Sequence, residues 1–251
     1  MSTIILGDGP LGTAIEAALR ARGEPATIRG RPRSGRHDPR NLTRTEPTVD
    51  VIVDASRAEA VLANVEAGLA AGCRRFVIAT TGWADDRAAV ASRLRGSAAA
   101  AVVAPNLAMG AAVFLRLVEE ASSLAAAIGG FDPSVVEWHR RAKADRPSGT
   151  ARELVRRIAP HLPIAVVEVA VVRSGAMPGL HLVGLDSPSE TIELRLTARD
   201  RSGYAAGALA AIDWLRAQPR QPGLHPFDTV VDDLIAARRH AAPESPAQPA
   251  A

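Results

Sequence analysis

Thr3-Ile4-Ile5-Leu6-Gly7-Asp8-Gly9-Pro10-Leu11-Gly12 is a short apolar run that breaks into G-x-G-x-x-G. Ile15, Ala18 and Leu19 follow at helical spacing. A strand, a glycine loop and a helix, in that order, make the start of a dinucleotide-binding unit. The glycines let the backbone turn tightly and approach a pyrophosphate, which the helix start then binds. Gly7, Gly9, Pro10, Leu11 and Gly12 are therefore candidate cofactor contacts.

The next strand, near Ala26-Thr27-Ile28, ends in Arg29 and is followed by Arg31 and Arg33. A carboxylate at this point would accept from the ribose hydroxyl of NAD. Guanidinium groups suit a 2′-phosphate instead, so NADPH is the expected cofactor and NADH the alternative. A basic solvated loop is the plain alternative for Arg29 and Arg31. Residues 34–48 are polar and read as a surface connection.

Apolar runs at 50–54, 75–79 and 99–103 read as strands, with helices over 58–71 and 85–94 between them. That alternation predicts an α/β fold with a Rossmann-like, doubly wound parallel sheet. Ligands of such sheets lie beyond the strand C-termini, where Ser56, Thr81 and Asn106 occur. Each of these also suits a turn or a cap.

After a helix over 109–128 the pattern changes to strands at 134–137, 164–172, 180–183 and 190–196, the last alternating apolar and polar. These predict a C-terminal α+β domain with a mixed open sheet. A helix over 204–216 and another over 227–237 follow. The expected division is 1–107 with 217–240 as the dinucleotide-binding domain and 108–216 as the substrate-binding and oligomerisation domain. The Ala- and Pro-rich stretch 241–251 is expected to be a disordered tail.

Glu137-Trp-His139-Arg140-Arg-Ala-Lys143-Ala-Asp-Arg-Pro147-Ser148-Gly149-Thr150 is the stretch that points to chemistry. Lys143 is the one lysine among 30 basic side chains. A compact ammonium can grip a carboxylate where a planar fork would not fit, although a solvated lysine kept by chance is the alternative. His139, four residues earlier, shares a face with Lys143 on a helical turn, and in a loop the two can still converge; histidine is the usual proton donor near neutral pH. Pro147 disfavours helix at Arg146, and Ser148-Gly149-Thr150 reads as the start of a helix through Leu154 and Ile158, where backbone N–H groups bind anions.

At 251 residues, 47% of them hydrophobic, the chain suits one large or two small domains with a real core. A net charge of +3 is too small an excess to argue for nucleic acid. Cys73 stands alone, so no internal disulfide forms, which fits a reducing cytoplasm. The N-terminal apolar run is too short for a signal peptide, and the most apolar tract, 98–115, is broken by Pro105, Asn106 and Gly110. A soluble, cytoplasmic protein without a membrane partner is expected. Sequence spacing gives no Cys/His metal cluster.

The motif from Glu137 to Thr150 resembles the signature of the dihydrodipicolinate reductase family, NAD(P)H-dependent enzymes that reduce a cyclic dicarboxylate in lysine biosynthesis. Asp54-Ala-Ser56, Thr80-Thr81-Gly82, Ala104-Pro105-Asn106, Arg173-x-Gly175 with His181, and Tyr204-Ala-Ala-Gly207-Ala208 before Trp214-Leu215 extend the resemblance along nearly the whole chain. It implies His139 as general acid, and Lys143, Gly149 and Thr150 as substrate-carboxylate contacts beside Ser148. It also implies a cofactor lined by Gly7, Gly9, Gly12, Arg29, Thr81 and Asn106, and a cytoplasmic homotetramer joined through the C-terminal sheets. Arg140, Ala142 and Leu196 stand where the family has histidines, and the glycine loop is one residue short. Arg140 can still bind a carboxylate. These departures leave room for a paralogue that reduces another small imino acid. A cofactor-binding regulator without catalysis is the remaining alternative, and the retained His139 and Lys143 argue against it.

Overall fold

The computed structural model describes residues 2–30, 49–104, 106–162 and 166–241. Arg31, Arg33, the 34–48 connection, Pro105 and the stretch from 242 onwards lie outside the described residues. Strands β1 (Ser2–Leu6), β2 (Ala26–Arg29), β3 (Val49–Asp54), β4 (Arg75–Ile78) and β5 (Ala100–Val103) alternate with helices α1 (Pro10–Ala21), α2 (Val61–Ala70) and α3 (Arg87–Gly96). Then come α4 (Met109–Ile128), β6 (Asp132–His139), α5 (Gly149–Ile158), β7 (Glu168–Arg173), β8 (Leu180–Asp186) and β9 (Thr191–Thr197). The chain closes with α6 (Ser202–Ala217), β10 (Gly223–Pro226) and α7 (Phe227–Ala241).

The first sheet has the order β10-β5-β4-β3-β1-β2 and every pairing in it is parallel. Its strands are continuously apolar because both faces are covered. Ile5, Val51, Val53 and Val77 point to one face, against Ile15 of α1 and Ile212 of α6. Ile4, Leu6, Ile52, Phe76 and Ile78 point to the other, against Val65 of α2 and Val90 of α3. Strand order reverses at β1, which lies between β2 and β3, so the glycine loop emerges at the switch point where such sheets bind ligands.

The second sheet has the order β7-β6-β8-β9, with β6 and β7 parallel and the other pairs antiparallel. Val135, Val183 and Leu185 on its inner face pack against Phe114 and Val118 of α4 and Leu154 and Ile158 of α5. The predicted Rossmann-like sheet and mixed sheet are thus both present. Arg157 of α5 pairs with Glu119 of α4 and with Asp228 of α7, while Arg116 of α4 pairs with Asp228 and Asp232. Those ion pairs tie the second unit to the last helix of the first.

Four differences from expectation have physical causes. Gly223-Leu-His-Pro226 has too little apolar character to read as a strand, yet it pairs with β5 at the sheet edge, where proline is tolerated. β6 runs two residues beyond Glu137 because it is paired on both sides, so His139 ends a strand instead of riding a helical turn. β7 begins only at Glu168; Val166 before it is 77% exposed. Ala205, Ala208 and Ile212 of α6 pack into the first core, although the helix follows the strands of the second sheet in the chain.

Gly207 of α6 lies against the backbone of Leu107, and a Cβ there would overlap the Leu107 carbonyl oxygen and come 3.0 Å from the Phe227 ring. Gly207→Ala is therefore expected to cost about 1–3 kcal/mol and lower the melting temperature by roughly 2–10 °C. Gly96→Ala, with nothing within 4 Å and a helical backbone, is expected to leave it unchanged or slightly raised in the same thermal melts.

Candidate active site

The three glycines of the loop are held for three different reasons. Gly7 has φ +118°, a region that L side chains rarely adopt, and lies against the Ala55 carbonyl. A Cβ on Gly12 would overlap the Gly7 carbonyl oxygen, so α1 packs closer to β1 than any other residue would permit. Gly9 has nothing within 4 Å of where a Cβ would stand, and it opens α1 without a side-chain cap. The open space therefore lies over Gly9 and the helix start, where a pyrophosphate fits. Pro10 sits at the first turn and brings no N–H, and the Leu11 side chain packs on the first core. Arg29, the last residue of β2, accepts at its carbonyl from the Gly7 N–H at 2.9 Å, which laces the loop to the end of that strand.

Asp54, at the end of β3, is buried beneath this loop. Its carboxylate accepts from the Ser56 N–H (3.0 Å), the Ser56 hydroxyl (2.7 Å), the Thr80 hydroxyl (2.6 Å) and Asn64 Nδ2 (2.8 Å). Trp83 Nε1 donates to the Thr80 carbonyl at 2.8 Å, so the loop after β4 is fixed from both ends. A cleft of about 400 Å³ opens beyond it, lined by Thr81, Trp83, Asn106, Thr150 and Phe227 among others. Asn106 donates to the Thr150 hydroxyl at 3.1 Å and accepts from the Ala108 N–H at 2.9 Å. It therefore bridges the first sheet to the start of α5.

On the second sheet, Glu137 and His139 share the inner face of β6, His181 of β8 pairs with Glu137, and Arg173 of β7 pairs with His139. Glu137 and Arg173 are both fully enclosed. The Glu137 carboxylate accepts from Arg173 Nη2 at 2.6 Å and from the Ser148 N–H at 3.0 and 3.1 Å. Arg173 also donates to the carbonyls of Lys143 (3.3 Å), Asp145 (2.5 Å) and Val172 (2.9 Å), which pins the 140–147 turn. The Ser148 hydroxyl caps α5 by accepting from the Ala151 N–H at 3.2 Å and lies 3.2 Å from His181 Nε2. His139 Nδ1 is buried 3.6 Å from Glu137 Oε2 without a hydrogen-bond partner, and its ring meets the His181 ring edge-on at 5.1 Å.

Burial pushes His139 below its usual value, with Glu137 opposing and the Lys143 ammonium adding to the fall. Burial, then His139 itself, takes His181 down to about 4. Burial would raise Glu137, but the hydrogen bonds from Ser148 and Arg173 outweigh it and hold the carboxyl low. Lys143 Nζ stands 2.6 Å from Asp145 Oδ1. Although burial opposes it, that ammonium keeps Asp145 ionised, with the Gly149 backbone N–H contributing. The start of α5 thus serves two places: Ser148 belongs to the histidine cluster and Thr150 to the cleft. His139 and Lys143 do not themselves line the cleft.

Several predicted residues therefore come together, namely His139 with Lys143 and Ser148, and Thr81 with Asn106 and Thr150. Arg140 and Ala142 lie exposed on the turn, and Leu196 stands opposite His181 in the β8–β9 register and packs on the apolar core beneath α4. Asp54, Glu137, Arg173 and His181 were not singled out as site residues. Their motif matches were visible in the sequence, but nothing local showed that they would be buried together. Glu137, His139 and His181 also have the spacing of a metal trio, the one such group among the described residues. Arg173 and Ser148 already engage its carboxylate, so we read it as a hydrogen-bonded cluster. No helix among the described residues is long and apolar enough to cross a membrane.

Comparison with known proteins gives the same picture. Residues 12–107 match the family described as Dihydrodipicolinate reductase, N-terminus, and residues 110–231 match Dihydrodipicolinate reductase, C-terminus. The first match begins at Gly12, after most of the shortened glycine loop. A 4-hydroxy-tetrahydrodipicolinate reductase of Syntrophobacter fumaroxidans is 32% identical over 73% of this chain and 74% of its own. One from Methanosarcina mazei is 32% identical over 72% and 73%. Among solved structures, a dipicolinate-bound dihydrodipicolinate reductase from Paenisporosarcina sp. TG-14 superposes with a TM-score of 0.67 at 19% identity, covering 90% of this chain and 97% of that one. A biliverdin reductase from Synechocystis, with a TM-score of 0.57 at 12% identity over 96% and 98%, shares the fold alone. With both halves of the chain matched and curated relatives 32% identical over the aligned residues, this protein belongs to the dihydrodipicolinate reductase family of NAD(P)H-dependent oxidoreductases.

Proposed function

We propose that the chain is an NADPH-dependent reductase of a cyclic imine or dihydropyridine-type carboxylate, working in the cytoplasm on the substrate of 4-hydroxy-tetrahydrodipicolinate reductase in lysine biosynthesis. The observation that carries this reading is the meeting of His139, Lys143 and the start of α5 around the buried Glu137–Arg173 pair. Asp145 supports it further, because its carboxylate already takes the Lys143 ammonium, in the manner expected of a substrate carboxylate. The relative named for bound dipicolinate carries a cyclic dicarboxylate of the same chemistry. Arg29 at the end of β2 favours the 2′-phosphate of NADPH, with NADH as the alternative.

When bound, the nicotinamide supplies the hydride. The rest falls to side chains. Lys143, with the N–H groups of Gly149 and Thr150 and the hydroxyl of Ser148, binds and orients a substrate carboxylate, and the exposed Arg140 on the adjoining turn binds a second one. His139 gives its proton to the atom on which charge builds as hydride arrives. Burial depresses its basicity in the free protein; an anionic substrate beside it acts in the same sense as Glu137 and restores it. Thr81 and Asn106 line the cofactor side of the cleft, and Asn106 holds Thr150 so that both halves of the reaction meet at one helix start.

Arg140, Ala142 and Leu196 favour a second reading with the same chemistry, a paralogue acting on a different cyclic imino acid. A panel of cyclic imino acids, followed by NADPH oxidation, tests the two. Turnover fastest on the lysine-pathway substrate supports the first, and turnover confined to another member the second. His139→Ala is expected to lower kcat by about 10²–10⁴-fold with little change in NADPH affinity. Lys143→Ala is expected to raise KM by roughly 10–100-fold, the loss of a charged hydrogen bond. Wild-type kcat in the His139 variant would refute the acid assignment.

The low value of His181 has a consequence for stability. The unfolded chain takes up that proton below about pH 6.5, the folded chain only near 4. Stability is expected in full above pH 6.5 and to fall by at most about 3 kcal/mol towards pH 4. Denaturant melts across that range should show a shallower fall in His181→Asn; an equal slope in both proteins argues that His181 does not titrate this way.

The outer face of the second sheet exposes Trp138 (39%) and Val172 (41%), which face each other across β6 and β7. We read this uncovered face as the place where copies of the chain associate, as a homotetramer. Light scattering should give the mass of four chains for the wild type and a smaller species for Trp138→Glu. A tetramer that survives the substitution excludes this face.

A further inference from the structure

The glycine loop carries a charged residue that the cofactor reading has not used. Asp8 is exposed between Gly7 and Gly9. Gly30 is the first residue after β2, and a Cβ on it would overlap the Asp8 carboxylate, standing 2.7 Å from Cγ. The lacing of Gly7 to Arg29 brings the loop to that point. In dinucleotide-binding sheets the end of β2 is where the adenosine ribose lies and where a carboxylate from β2 normally meets it. Here β2 ends in Arg29, the next residue has no side chain, and the space that side chain would fill holds a carboxylate from the neighbouring loop. Among the described residues no hydrogen bond or ion pair engages Asp8.

We propose that Asp8 is the residue that reads the cofactor's ribose. Its carboxylate accepts from the 2′-hydroxyl of NADH and repels the 2′-phosphate of NADPH, which narrows the preference for NADPH that Arg29 confers. This rests on the reading that a nicotinamide dinucleotide binds over the glycine loop. It adds the element that sets the choice between the two. A carboxylate close to a phosphate is the repulsive half of a selective site, and a guanidinium is the attractive half.

Titration of NADH and NADPH into the full chain by calorimetry, without substrate, tests it. The wild type is expected to bind both, with dissociation constants within about tenfold of each other. Asp8→Asn should shift the ratio towards NADPH by about tenfold, the worth of one charged hydrogen bond. Arg29→Ala should shift it towards NADH. The Asp8 side chain is exposed, and an unchanged thermal melt confirms that its variant folds. A ratio that does not move in Asp8→Asn, or that moves towards NADH, overturns the proposal while leaving dinucleotide binding intact. Failure of the wild type to bind either cofactor overturns the underlying reading, and the role of Asp8 with it.

Discussion

The turn from Arg140 to Pro147 and the start of α5 depend on two opposite charges enclosed in the second unit. Glu137 and Arg173 are both sealed from solvent, and charges taken out of water are costly unless each remaining donor and acceptor is met. Here they are met. Arg173 spends its other N–H groups on the carbonyls of Lys143, Asp145 and Val172, and Glu137 accepts from the first N–H ahead of α5. The pair therefore shapes the turn from Arg140 to Pro147 and the direction in which α5 leaves it. Removing one partner would strand the other, a cost on the order of 3–5 kcal/mol. Burial is the main cause that lowers both histidines, and the pair adds to it from both sides, Glu137 raising them and Arg173 lowering them.

A second constraint couples the two units. The helix start at Ser148–Thr150 is shared: one residue caps the helix inside the histidine cluster, and two positions later a hydroxyl accepts from Asn106 at the end of β5. The ion pairs of Arg116 and Arg157 fasten the same two helices, α4 and α5, to α7. The turn that carries Lys143 is thereby held in fixed relation to the cleft beyond Thr81.

Of the residues that depart from the family pattern, two lie outside this framework and one borders it. Arg140 and Ala142 ride on the exposed side of the turn, and Leu196 lies opposite His181 on β9 and packs beneath α4. Glu137, Arg173, His181 and Ser148 are all retained. These departures leave the enclosed Glu137–Arg173 pair and the Ser148 cap unaltered.

The sequence by itself determined the parallel sheet, because buried strands read as unbroken apolar runs and the glycine loop has a spacing that only a tight strand-to-helix turn requires. It also determined the cap at Ser148 and singled out His139 and Lys143, since capping and the choice of a lone ammonium are local in character. Only the tertiary structure decided that Gly223–Pro226 becomes a sixth strand, that α6 belongs to the first core, and that Asp54, Glu137, Arg173 and His181 are the supports of the site. Strand pairing at an edge and the burial of a charge depend on partners far away along the chain. No short window of sequence contains both members of such a pair, so the fold has to bring them together before their chemistry can be read.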